Sequence, residues 1–106
     1  MTEKFETFET YDGRKYWIDD EKETLFIEKG EKLYEVPLSE ITRVEMWGTE
    51  TCMGIDIYCK SRSDSITITA SDYEDGTDEE NEKGRRELTR FLSLYSPKMK
   101  KFCLVL

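Results

Sequence analysis

Seven short runs, each about half apolar and each closed by a Gly, Asp or Ser turn, precede the one stretch of this chain with helical periodicity. That order constrains the fold more than any motif in it. At 55–60, Ile55, Ile57 and Cys59 alternate with Asp56, Tyr58 and Lys60; at 66–71, Ile66, Ile68 and Ala70 alternate with Thr67, Thr69 and Ser71. A period of two marks strands with one buried face. Earlier, Asp12-Gly13 joins runs 5–11 and 14–19, the dipeptide that best tolerates the positive φ angles of a two-residue type I′ turn. Lys29-Gly30-Glu31 joins 24–28 to 32–36, and Pro37, which cannot donate to a ladder, ends that strand before a corner at 38–41 and a fifth strand over 42–47. Residues 48–54 read as a loop. The helix comes last: Leu88, Phe91, Leu92 and Tyr95 fall on one stripe, Thr77 and Glu80 fit a capping box, Gly84 weakens the middle and Pro97 marks the stop.

A chain of 106 residues holds one domain, with a core over about 5–95 and a basic, then apolar, tail over 96–106. Charged residues make up 38%, yet the 37% apolar fraction keeps the sequence on the folded side of the disorder boundary. There is no histidine. Ser-His-Asp and Cys-His triads, HExxH zinc sites and facial-triad iron sites all need imidazole and are excluded. Cys52, Cys59 and Cys103 are odd in number and form no CxxC, so reduced thiols and a cytoplasmic setting are expected, with no metal, no cofactor and no catalytic residue. No apolar run approaches the ~18 residues of a membrane span, and the first residues carry no signal-peptide pattern.

The order of elements, the corner Val36-Pro37-Leu38-Ser39-Glu40-Ile41-Thr42-Arg43-Val44 and the stripe of Leu88, Phe91, Leu92 and Tyr95 resemble the small pleckstrin-homology-like domains over roughly residues 14–95. The resemblance implies a mainly β (α+β) fold: a seven-stranded barrel or β-roll whose open end is plugged by one C-terminal helix. It also implies a non-catalytic binding module. Members that hold lipid headgroups carry a basic cluster in the first inter-strand loop. Here Asp12 and Gly13 are followed by Arg14 and Lys15 alone and the next turn is Asp19-Asp20-Glu21, a departure that argues against phosphoinositides.

A formal charge of -8 argues against direct nucleic-acid binding, which rests on Lys and Arg displacing counterions from phosphates. It suits a basic protein partner. Two clusters are the candidate footprint: Asp19, Asp20, Glu21 and Glu23 in one turn, and Asp72, Glu74, Asp75, Asp78 and Glu79 before the helix. A second use of the same charge is mimicry of nucleic acid by a small acidic inhibitor, since carboxylates at alternate strand positions stand ~6 to 7 Å apart, near the phosphate spacing. The acidic run does not fit a calcium loop: placing Gly76 at position 6 puts Ser71, Tyr73 and Asp75 at positions 1, 3 and 5. Trp17, Trp47, Tyr16, Phe26, Tyr34 and Tyr58 read as core or cross-strand pairs rather than a binding face. Finally, Cys103-Leu104-Val105-Leu106 has the form of a CaaX box, with Lys98, Lys100 and Lys101 as a polybasic second signal. Prenylation at Cys103 competes there with a terminal strand packed on the body.

Overall fold

The chain is mainly β with one C-terminal helix. The structure, a computed structural model, describes residues 6–99 and 102–104, with side chains over 6–95. Seven strands precede the helix: β1 (Phe8–Glu9), β2 (Lys15–Asp19), β3 (Thr24–Lys29), β4 (Lys32–Pro37), β5 (Ile41–Gly48), β6 (Cys52–Cys59) and β7 (Ile66–Asp72). Helix α1 (Asp78–Met99) follows, then a three-residue strand β8 (Phe102–Leu104). Strands β1-β2-β3-β4 form one sheet and β7-β6-β5-β8 the other. Neighbours are antiparallel except β8, which runs parallel to β5 with Cys103 opposite Glu45.

Period two governs both sheets. Ile55, Ile57, Ile66 and Ile68 are buried, while Asp56, Tyr58, Thr67 and Thr69 are only partly covered. Tyr16, Ile18, Leu25, Ile27 and Val36 supply the inner face of the first sheet, so the core lies between the two. Leu88, Phe91, Leu92 and Tyr95 close it from the helix. Phe91 meets Phe8 and Tyr16 edge-on at centroid distances of 5.3 and 4.9 Å, the geometry that places a positive ring edge on a negative face.

Several expectations are corrected. Among the described residues no ladder joins the two sheets, so they do not form a closed seven-stranded barrel. A backbone bond crosses the seam, Tyr11 N–H to the Ala70 carbonyl at 2.9 Å. Asp12-Gly13 is not a two-residue turn: Gly13 alone takes a positive φ, +84°, and Thr10 N–H donates to the Arg14 carbonyl at 2.8 Å across a three-residue loop. A left-handed glycine closing such a loop gives the bulged hairpin, which also matches strand twist. β6 begins at Cys52, inside the expected loop, because the ladder resumes past a register shift at Met53/Gly54. Gly54 has no room for a Cβ there, which would stand 2.2 Å from the Ile68 carbonyl oxygen.

The helix runs two residues beyond Pro97. A proline removes one donor, and the packed face from Leu88 to Tyr95 holds the preceding turns regardless. Of the expected tail, 96–99 belongs to the helix and 102–104 to β8.

Candidate functional site

The helix start, the end of β7 and the β1–β2 turn meet at one corner, and most of the second acidic cluster is mounted there. Asn81 is the pin. It is fully buried; its Nδ2 donates to the carbonyls of Asp72 (3.2 Å) and Thr77 (2.9 Å), and its Oδ1 accepts from Asp72 N–H (2.6 Å). The capping box forms in both directions: Glu80 N–H donates to Thr77 Oγ1 (3.1 Å) and Thr77 N–H to Glu80 Oε1 (2.9 Å). Asp72 turns the chain between them, its carbonyl accepting from Asp75 and Gly76 N–H and its carboxylate from Glu74 N–H. These bonds fix the backbone that displays the carboxylates.

Tyr11 ties the turn of the first sheet to this junction. Its hydroxyl donates to Asp75 Oδ2 at 3.0 Å, and its ring lies where a Cβ on Gly76 would come within 2.7 Å. Burial first, then the Asp75 bond and the charges of Asp75, Asp12 and Asp72, push the Tyr11 phenol up to about 12. Asp12 thus joins the acidic corner, although it also pairs with Arg14 (3.2 Å) and accepts a bond from Thr10 Oγ1.

What marks the run from Asp72 to Glu82 is the density of exposed carboxylates that meet no cation among the described residues. Asp12, Glu45, Glu9, Glu6 and Glu87 each meet an Arg or Lys. Among the described residues no ion pair reaches Asp72, Glu74, Asp75, Asp78, Glu79, Glu80 or Glu82. The helix N-terminus offsets part of that charge; the rest faces solvent. Beside the corner, a cleft of about 200 Å³ mixes Asp12, Glu28 and Asp72 with Arg14, Lys15 and Lys29, so it does not extend the acidic field.

The first cluster lies elsewhere. Asp19, Asp20, Glu21 and Glu23 occupy the β2–β3 turn, at the far end of β2 from the Tyr11 turn, about 15 Å away for a five-residue strand. Asp19 Oδ1 accepts from the N–H groups of Glu21 and Lys22, and Glu23, at φ +48°, accepts from Leu38 N–H at 2.9 Å. The two clusters therefore form two patches and not one footprint.

Cys103 sits within β8. A transferase needs the terminal residues extended and free, so lipidation there requires β8 to leave β5. The aromatic residues divide between core and surface networks. Tyr16 is buried, Trp17 stacks on Phe26 at 5.4 Å, and Trp47 Nε1 donates to Asp56, which also accepts from Thr67. Among the described residues no three Cys, Asp or Glu side chains gather to hold a metal ion, and no helix is long and apolar enough to cross a membrane.

The sequence placed Tyr11 and Asp12 at a turn and Gly84 in the helix middle, but the parts that they and Asn81 play at this corner were not read from it. Asn81 had a signal, since it continues the stripe of 88, 91, 92 and 95 two turns earlier, where a polar residue must find buried partners. Tyr11 and Asp12 had none, being brought to Asp75 by a contact some 64 positions away in the chain. No family description matches the chain, and no curated protein and no solved structure does either.

Proposed function

We propose that this chain is a non-catalytic protein-interaction module of pleckstrin-homology-like build that binds a basic protein segment on the acidic platform of Asp72, Glu74, Asp75, Asp78 and Glu79. The observation that carries this reading is a contiguous, exposed acidic run that meets no cation among the described residues and is held by buried bonds from Asn81. A rigid, unpaired carboxylate set loses little entropy on meeting Lys or Arg and steers their approach. The order of seven strands and a closing helix supports the fold name, as does a helix packed on β1 and β7.

Capture from native-host lysate tests it. The wild-type chain should retain a basic protein that elutes with salt, and the Glu74→Lys/Asp78→Lys/Glu79→Lys variant should lose it. Reversal at Asp20 and Glu21 should leave capture intact. Retention that ignores both salt and the first variant would remove the platform from the interface.

A further inference from the structure

Tyr73 stands in the acidic run yet is the one tyrosine there whose hydroxyl meets a cation. Arg85 Nη1 donates to Tyr73 Oη at 3.3 Å. Arg85 has no carboxylate partner among the described residues, whereas Arg14, Arg43 and Arg90 each have one. Tyr73 is 37% exposed, and Tyr73 and Arg85 both line a hollow of about 310 Å³ with Thr49, Glu50, Cys52 and Ser71.

The other five tyrosines are placed differently. Tyr16 and Tyr95 are buried, Tyr34 and Tyr58 lie with their rings under the Arg62 and Arg43 guanidiniums at 5.4 and 4.4 Å, and the hydroxyls of Tyr11 and Tyr58 donate to Asp75 and Glu45. A phosphate on either of the last two would be driven against a carboxylate. On Tyr73 it would meet a guanidinium whose remaining N–H donors are free to bind phosphoryl oxygens in a fork.

We propose that Tyr73 is a phosphorylation site and that Arg85 receives the phosphate. An ATP-dependent tyrosine kinase supplies the group. The bond from the γ-phosphorus to the bridging oxygen breaks and its electron pair leaves with ADP; a bond forms from that phosphorus to Tyr73 Oη, and the phenolic proton passes to the kinase base. The added ester carries about -1.5 to -2 charge. Its regulatory meaning rests on the acidic-platform reading: modification deepens the field between Asp72 and Asp78 and pins β7 to α1 through Arg85.

The full folded chain, incubated with MgATP and a broad-specificity tyrosine kinase and mapped by mass spectrometry, should take phosphate at Tyr73 at least tenfold faster than at any other tyrosine. In the modified protein, a ³¹P titration should place the second phosphate pKa lower in wild type than in Arg85→Gln, by a few tenths to about one unit, because a cation beside the ester favours its dianion and solvent weakens the effect. Labelling first at another tyrosine, no labelling, or equal titration in the two proteins would each overturn the assignment. Neither readout involves the basic partner, so failure of the platform reading leaves both results standing.

Discussion

Gly84 shows how one missing methyl can hold two sheets together. A Cβ there would fall 2.0 Å from the Ala70 carbonyl oxygen and 2.9 Å from Tyr11 N, the two atoms of the bond that crosses the seam. By helix propensity alone, Gly84→Ala should stabilise by about 1 kcal/mol. The clash reverses the sign. Forcing backbone apart costs about 1 to 3 kcal/mol and the seam bond is lost as well, so the variant should melt several degrees lower, as read by circular dichroism. Tyr11 makes a second test at this scale, by pH. Its folded-state pKa, raised to about 12, exceeds the ~10 of the unfolded chain, so the folded form favours the neutral phenol. That contribution is fully present below pH ~10 and is lost as pH rises toward about 12. Thermal melts at pH 9 and pH 11.5 should therefore show a larger drop for wild type than for Tyr11→Phe, and equal drops would place the phenol outside the carboxylate corner.

The helix is the element whose removal would open the core. Leu88 and Phe91 are fully buried and Leu92 nearly so, and Phe91 packs on Phe8 and Tyr16. Leu88→Ala should cost about 2 to 5 kcal/mol in urea unfolding and Leu92→Ala somewhat less, because Leu92 keeps 8% exposure. Unchanged midpoints in both would contradict the packing of α1 on β1 and β7. This element was legible in the sequence because its stripe repeats at helical spacing, as were β6 and β7 because alternation by two survives any tertiary context. Turns and ends were less legible. Asp12-Gly13 has the composition of a two-residue turn, but loop length depends on whether Thr10 or Tyr11 closes the ladder, which the strand partners decide. Gly84 read as a weak point because propensity is a local quantity, and the Ala70 carbonyl it accommodates is not local. Half of the candidate site was legible for the same reason: the acidic run from Asp72 is contiguous, while Tyr11, Asp12 and the separation from the Asp19 turn are properties of the folded chain.

Charge acts on the whole molecule with opposite signs in folding and in binding. Against a net charge of -8, Arg14, Arg43, Lys83 and Arg90 pair with acids outside the platform, and the run from Asp72 to Glu82 repels itself. Added salt screens that repulsion over a Debye length of about 10 Å at 0.1 M and 3 Å at 1 M. Melting temperature should accordingly rise from low salt to 0.5 M sodium chloride, and rise less in Glu74→Gln/Glu79→Gln, where two of the repelling charges are gone. The proposed basic partner should experience the reverse, because the same screening weakens its attraction to the platform. Its association rate should fall steeply with salt, and at low salt should fall about tenfold or more on reversal of Glu74 and Glu79. Stability should shift by only about 1 kcal/mol, chiefly from the lost helix-dipole contact of Glu79. Stopped-flow association and thermal melts on the same proteins read the two signs together. Salt that slows association while raising the melting temperature is what an unpaired acidic platform requires; a rate indifferent to salt and to reversal would move the interface to an apolar face of the molecule.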